Sequence, residues 1–234
     1  MYRDSARYYD AIYSFKDYGA EAAAVSAQIS AHKPDAATLL DVACGTGAHL
    51  AHFAREYRVE GIDLSEEQLA IARARLPGIE LHQGDMTTFD LGKTFDAVTC
   101  MFSSIGYVGT LDGLDAAIGR MAAHLAPGGV LVVEPWLPPD AFEAGHLSTL
   151  FVDEPDIAIA RMSISHKEGR RSWFDMEHLV GSADGIERFV EHHELGLFTV
   201  EEQIAAFERA GLRVEHDPDG PIGRGLYVGV ASSS

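Results

Sequence analysis

Several short clusters of residues in this chain have the types and spacing to do chemistry together. Leu39-Leu40-Asp41-Val42-Ala43-Cys44-Gly45-Thr46-Gly47-Ala48-His49-Leu50 reads as an apolar strand that ends in an acid, turns on two glycines and opens a helix. Glycine carries no Cβ, so a ligand can approach bare backbone there, and the free N–H groups of a helix start favour an electron-rich partner. Asp63, 22 residues after Asp41, stands where nucleoside-binding α/β proteins put a carboxylate on the ribose hydroxyls. Asp85 can accept from an exocyclic amine and Met86 can lay its thioether on a base, which suits an adenine. Ser103-Ser104-Ile105-Gly106-Tyr107 adds small polar residues and a phenol at a strand end.

Each cluster also has a purely structural reading. The glycine pair suits a dinucleotide fingerprint or a plain βα turn, although Leu50 occupies the place of that fingerprint's third small residue. Asp63 can simply end its strand while Ser65 caps the next helix, which is compatible with ribose binding. Tyr2, Tyr8, Tyr9, Tyr13 and Tyr18 hold five of the eight tyrosines, with Phe15 among them. They form either an amphipathic helix packed on the domain or a lid bringing phenol hydroxyls to a ligand. His124 reads as a helix C-terminal residue rather than a catalyst.

The elements that must position these residues follow from periodicity. Helices are expected over 21–31, 48–56, 65–75, 111–124 and 200–210, the last capped by Gly211. Strands are expected at 38–43, 59–63, 79–82, 95–102 and 130–133, the last entered through Pro127-Gly128-Gly129, and all belong to a parallel sheet. Between 137 and 196 the pattern turns to alternation, in runs at 157–162, 173–179 and 189–193, which predicts a small antiparallel sheet. Strands at 212–216 and 225–231 close the chain as a hairpin. The division expected is 1–136 for an N-terminal lid with a ligand-binding core, 137–196 for an insertion over the cleft, and 197–234 for the helix and hairpin that complete the core.

Composition narrows the partners. The 234 residues carry a formal net charge of −18, which argues against a nucleic-acid surface or an anionic membrane, since both need a basic patch. No apolar run approaches a membrane span, and the beginning of the sequence lacks the apolar stretch of a secretory signal. Cys44 and Cys100, the two cysteines, read as reduced core residues, so a cytoplasmic location is expected. The eleven histidines are scattered, and His192-His193 would point to opposite faces of a strand, so no metal site is expected.

Taken in order, the glycine turn, Asp63, Asp85-Met86 and the Pro-Gly-Gly turn resemble a class I S-adenosylmethionine-dependent methyltransferase. That resemblance implies a Rossmann-like fold with a seven-stranded, mostly parallel sheet and a reversed strand in a terminal hairpin. Ala43 replaces the family's usual first glycine, and as the next smallest residue it is expected to leave the turn undisturbed. The blocks 39–47, 82–86, 101–107, 133–136 and 223–226 together resemble the nucleotide-linked aminosugar N-methyltransferases of macrolide and related antibiotic pathways. The resemblance implies N-methylation, and N,N-dimethylation in particular, of a dTDP-linked amino-deoxysugar. It carries Tyr2 and Tyr107 over as residues beside the amine. Tyr9, Tyr18, Asp41, Ala43, Gly45, Asp63, Leu64, Asp85, Met86, Met101 and Ser103 are carried over as cofactor contacts. Tyr2, Tyr107, Trp136, Arg161 and Arg224 are carried over as substrate contacts, Arg224 near the diphosphate. Relatives have a second aromatic after Trp136 where this chain has Leu137. A homodimer is a possible state.

A sulfonium methyl is already activated, so the chemistry expected is orientation of an amine lone pair, with Tyr2 or Tyr107 able to accept or relay its proton. Arg170 and Arg171 are expected to be surface charges. An O- or C-methyltransferase would need a base near 103–107, where no His or Asp occurs. Against a nucleotide-binding oxidoreductase or sensor stand Leu50 and the Asp85-Met86 pair.

Overall fold

Alternating apolar strands and helices lay down a parallel sheet before a second sheet interrupts the pattern. The computed structural model describes residues 5–221 and 223–233. The Tyr2 expectation therefore lies outside the described residues. A short 3-10 turn, Ala6–Tyr8, leads into α1 (Tyr9–Ile12) and α2 (Tyr18–His32). Then come β1 (Thr38–Val42), α3 (Leu50–Phe53), β2 (Arg58–Asp63), α4 (Glu66–Arg75), β3 (Glu80–Gln83) and β4 (Phe95–Cys100). A 3-10 segment, Ser104–Val108, precedes α5 (Leu111–Ala123) and β5 (Leu125–Val133). The inserted strands are β6 (Leu147–Glu154), β7 (Ile157–Glu168), β8 (Arg171–Ser182) and β9 (Gly185–Gly196). Helix α6 (Val200–Arg209), β10 (Arg213–Asp217) and β11 (Leu226–Val230) complete the chain.

The seven-stranded sheet has the order β10-β11-β5-β4-β1-β2-β3, and β11 runs antiparallel to both of its neighbours. Strands β1 to β5 are parallel; β1, β4 and the second half of β5 are buried on both faces and read as apolar runs, while the edge strand β3 is only partly covered. Leu39 packs with Val25, Ile29, Leu50 and Phe53 on one side, while Leu40 packs with Leu114, Ile118 and Phe207 on the other. Local signals set the helix starts. Asp17 accepts from the Ala20 N–H at 2.9 Å, Ser65 from Gln68 at 3.2 Å, and Thr199 and Glu202 form a reciprocal capping box. Gly211, with φ 82°, closes α6.

The differences from the sequence expectation are local. Helix α3 spans four residues because Ala43, Gly45 and Gly47 all sit at positive φ and lengthen the turn before it. Pro127-Gly128-Gly129 lies inside β5 rather than before it. Pairing jumps from Phe95–Leu125 to Ala97–Val130, leaving these residues as a bulge with Gly128 at φ 70°. Strand β6 was not expected as a strand, since Leu147, Phe151 and Thr149 on its outward side do not alternate cleanly with its inward side.

The four inserted strands form an antiparallel meander, β6-β7-β8-β9. The N-terminal segment is wedged between this sheet and the glycine turn. Ile12 and Tyr13 pack against Ile159 and Val180. Asp10 accepts from the Thr46 hydroxyl at 3.0 Å and pairs with Arg75, which also donates to the Thr46 carbonyl at 2.8 Å.

Candidate active site

Two cavities open at the carboxyl edge of the parallel strands, where open α/β sheets bind ligands. One, about 840 Å³, lies over β1, β2 and β3 and is lined by Tyr9, Ala43, Asp63, Leu64, Asp85, Met86 and Tyr107 among others. The other, about 880 Å³, lies between the N-terminal segment and the inner face of the four-stranded sheet. Tyr13, Lys16, Phe102, Ser103, Trp136, Arg161, Phe174 and Arg224 contribute to its walls. Among the described residues, Tyr107 alone lines both.

The first cavity is built from backbone donors aimed at one carboxylate. Gly45 N–H donates to Asp63 Oδ2 and Ser65 N–H to Oδ1, each at 2.8 Å. Burial raises the Asp63 pKa, and the opposing backbone N–H bonds hold it only partly in check. Each oxygen keeps a further acceptor site for a hydroxyl. Gly45 thus meets the cavity through Asp63. Asp41 lies beneath the turn, almost fully buried, and accepts from the Thr99 hydroxyl at 2.7 Å; burial lifts its pKa to about 7. Asp85 accepts from the Thr87 N–H at 2.8 Å and hydroxyl at 2.7 Å, which fixes the turn that presents Met86. Met101 is buried in the core outside both linings. Tyr18 also lies outside them, edge-on to His49 at 4.8 Å, and its buried hydroxyl has no hydrogen-bond partner among the described residues.

Ala43 departs from the expectation that size alone matters. Its φ is 59°, a conformation that glycine adopts freely and a Cβ opposes, so alanine strains the turn although it fits. Phe102 and Ser103, at φ 54° and 60°, form a second left-handed stretch. Glu134 holds it: buried, its pKa raised by burial, it accepts from the Phe102 N–H at 3.0 Å. Ser103 in turn donates to the Pro135 carbonyl at 2.7 Å and accepts from Arg224 at 2.9 Å. The Arg224 guanidinium lies 5.1 Å from the Trp136 ring centre, and the Trp136 indole donates to Ser172 at 3.2 Å.

The second cavity brings three cations, Lys16, Arg161 and Arg224, together with the carboxylates of Asp17, Glu21 and Glu143. Arg161 donates to the Tyr13 hydroxyl at 3.1 Å, and Lys16 sits 4.0 Å from the Phe102 ring centre. Lys16 is neutralised by Glu21 at 2.8 Å, which also accepts from His49 at 2.8 Å. Burial would raise the Glu21 pKa, but these two hydrogen bonds outweigh it and lower it. Arg170 and Arg171 are outside both linings, paired with Glu202 and with Glu168.

Sequence reasoning missed Lys16, Phe102, Phe174 and His193. Lys16 sits in no motif, Phe102 lies in the 101–107 block without a role assigned to it, and the two on the inserted sheet carry only an alternation signal. His193 is 1% exposed and His192 faces outward, as a period of two requires. His124 is a helix C-cap whose imidazole accepts from the Leu91 N–H at 2.9 Å and donates to the Arg120 carbonyl at 2.7 Å. Cys44 and Cys100 are buried and free. Among the described residues, Glu60, Glu80 and His82 form a grouping of potential metal ligands, away from both linings, with Lys93 on Glu60 at 2.7 Å. No helix among the described residues is long and apolar enough to cross a membrane.

A methyltransferase-domain family model matches residues 39–129, which run from β1 into β5. A dTDP-3-amino-3,6-dideoxy-alpha-D-glucopyranose N,N-dimethyltransferase of Streptomyces fradiae is 48% identical over 229 residues, covering 96% of this chain and 90% of that protein. The crystal structure of Streptomyces venezuelae DesVI superposes with a TM-score of 0.90 at 45% identity, covering 94% of this chain and 97% of that one. An amino pentose methyltransferase of Micromonospora echinaspora, solved with S-adenosylmethionine bound, superposes with a TM-score of 0.85 at 48% identity, covering 93% and 92%. A seven-stranded sheet with one reversed strand, a glycine turn tied to an acid, and near-full-length identity of this order place the chain: it belongs to the class I S-adenosylmethionine-dependent methyltransferases, in the family of the nucleotide-linked aminosugar N-methyltransferases.

Proposed function

We propose that the chain transfers methyl groups, two in succession, to the amine of a dTDP-linked amino-deoxysugar in antibiotic sugar biosynthesis. The observation that carries this reading is the meeting of two cavities at Tyr107, one lined by the glycine-turn and adenine-type residues and the other by aromatic rings and arginines. The activity named for the Streptomyces fradiae relative supports it.

The residues fit the cofactor. Asp63, held by two backbone N–H groups, suits a ribose cis-diol, and Asp85 and Met86 on the same cavity wall suit an adenine. When bound, S-adenosylmethionine supplies an electrophilic methyl. The chain's own task is to hold an amine nitrogen at near-attack distance with water excluded. Trp136, Phe174 and Phe102 give the sugar an apolar enclosure, and Arg224 with Arg161 faces the diphosphate. Tyr107, on the shared wall, stands beside the amine. Met101 and Asp41 act from beneath, through packing and through the turn. The rival O- or C-methyl acceptor is not supported: the relative's substrate bears an amine.

The protein is further proposed to work in the cytoplasm, with two buried free thiols, and as a homodimer. The outer face of the inserted sheet carries Leu147, Phe151, Met162, Ile164, Leu179, Ile186 and Val190, each between 44% and 78% exposed. Three twelve-residue strands beside the eight-residue β6 fall within roughly 40 by 19 Å, near the ~800 Å² each partner contributes to a standard interface. A monomeric mass for the wild type in light scattering would remove the dimer.

The test of the activity is mass spectrometry after incubation with S-adenosylmethionine and a panel of thymidine-diphosphate aminosugars. One or two added methyl masses on an aminosugar are expected. Binding of S-adenosylmethionine without any methylated sugar would leave the fold and overturn the acceptor.

A further inference from the structure

Behind Tyr107 stands a line of side chains that the reading above does not use. The Tyr107 hydroxyl is 2.8 Å from His193 Nδ1 on the inner face of β9. His193 Nε2 is 3.8 Å from Glu191 Oε2, and Glu191 accepts from the Ser5 N–H at 3.0 Å and the Ser5 hydroxyl at 2.5 Å. All three groups behind the phenol are nearly inaccessible to solvent: Ser5, Glu191 and His193 are 2%, 6% and 1% exposed. The Phe174 ring stacks on the imidazole with centroids 5.6 Å apart, which fixes its plane.

We propose that His193 takes the surplus proton of the substrate amine through the Tyr107 hydroxyl, so that the amine reaches the methyl donor as a free base. The proposal rests on the aminosugar reading above. An aminosugar in neutral water is largely an ammonium and cannot act as a nucleophile in that form. The step balances within the chain. An ammonium N–H bond breaks as an O–H bond forms at Tyr107; the original Tyr107 O–H bond breaks as an N–H bond forms at His193 Nδ1. Tyr107 ends as it began, the amine keeps its lone pair for the methyl, and the imidazolium carries the charge. One proton is produced per methyl transferred, and it returns to water when product release opens the cavity.

Glu191 makes this direction of transfer possible. A carboxylate facing Nε2 favours the tautomer with its hydrogen there, which leaves Nδ1 as the acceptor of the Tyr107 O–H. Burial would raise the Glu191 pKa, but the neighbouring His193 imidazole and the two hydrogen bonds from Ser5 outweigh it, so the carboxylate is available to stabilise an imidazolium. Also facing this cluster among the described residues are Tyr9, on the Tyr107 side, and Arg161 on β7 and His178 on β8; burial lowers the His178 pKa, leaving it neutral beside the relay. His193 does not touch the amine; it is a positioning residue with a proton-holding nitrogen, and Tyr107 is the group in contact.

The experiment measures kcat/KM from pH 6 to pH 9.5 with S-adenosylmethionine and a thymidine-diphosphate 3-aminosugar, for the wild type, His193→Gln and Tyr107→Phe. Both variants are expected to lose about 30- to 100-fold near pH 6.5 and less than about threefold above pH 9, where the amine arrives deprotonated. A loss of constant size at all pH values, the signature of a purely structural role, overturns the relay, and so does no loss. Tyr107→Phe keeps the ring and decides the matter if His193→Gln fails to fold. Independently of activity, long-range proton–nitrogen NMR of the histidine-labelled protein is expected to find His193 as the Nε2–H tautomer, with its Nδ1 signal shifted in Tyr107→Phe. An Nδ1–H tautomer overturns the proposal. If no aminosugar is methylated by the wild type at any pH, the substrate reading falls and takes the relay with it; if the wild type methylates and the variant ratios are flat, only the relay falls.

Discussion

Replacing Ala43 by glycine should make this protein more stable, against the usual cost of glycine. A left-handed conformation costs an L-residue about 1–2 kcal/mol, and Ala43 pays it at φ 59°. Glycine removes that strain but loses more backbone entropy on folding, about 0.5–1 kcal/mol relative to alanine. The balance is a gain of roughly 0.5–1 kcal/mol. For a chain of this size each kcal/mol shifts the melting temperature by about 2–4 °C, so Ala43→Gly should melt about 1–4 °C higher. Ala43→Val, β-branched at positive φ, should melt lower than the wild type. Thermal melts of the ligand-free protein by circular dichroism measure both. Because Ala43 lines the cofactor cavity and carries no polar side-chain atom to lose, S-adenosylhomocysteine affinity by calorimetry should stay within about threefold in Ala43→Gly. A lower melting temperature for the glycine variant, or an unchanged one for valine, would refute the strain argument.

Three further outcomes are expected. Asp63→Asn removes a charged acceptor and sets an amide N–H₂ against a backbone N–H, so S-adenosylhomocysteine should bind about 10- to 100-fold more weakly in calorimetry, from a charge-assisted bond of about 1.5–3 kcal/mol; unchanged binding would remove Asp63 from the ribose site. Arg224→Ala should raise the KM for the nucleotide sugar about tenfold or more while cofactor affinity holds, and an unchanged KM would place the diphosphate elsewhere. The Asp41 carboxyl has a folded pKa raised by burial to about 7 against an ordinary 3.8. It is therefore neutral in both states below pH ~4, and its ionisation destabilises the fold progressively as pH climbs from about 4 to about 7. Asp41→Asn keeps an acceptor for Thr99 and never ionises, so its stability advantage in urea melts should be roughly 2–3 kcal/mol larger at pH 8 than at pH 5; an advantage that shrinks with pH would refute the sign.

What the sequence made legible was whatever a single strand or turn specifies alone. Asp63 and Asp85 end their strands on the same sheet edge because parallel crossovers leave no other choice, and Ser65 and Thr199 announce their helices by local chemistry. Gly211 marks its helix end for the same reason. The conformation at Ala43 was not legible, since alanine is chemically silent about φ. The bulge at Pro127-Gly128-Gly129 reads as a turn until β4 is known to pair across it. Lys16 is a lone cation in sequence and becomes part of a wall only when the N-terminal segment is wedged beside Phe102. His193 is the clearest case. Alternation told which histidine of the pair points inward, yet only the packing of β9 against the 3-10 segment brings its Nδ1 to Tyr107.

The inserted sheet has one further consequence, for how such an enzyme can change over generations. Side chains at odd positions of β7 from Ile159 to Ser165 face the cavity or the N-terminal segment, while the even ones from Ala158 to Ile164 face outward. A strand of this kind carries two interleaved texts, one read by the substrate and one by whatever meets the outer face. Single substitutions edit one text without touching the other, so acceptor preference can drift while the outer surface is kept. A one-residue insertion would exchange the two texts at once, burying Met162 and Ile164 in the cavity and turning Arg161 out to solvent. Divergence in this sheet should therefore proceed by substitution at fixed strand length, with length changes confined to its turns.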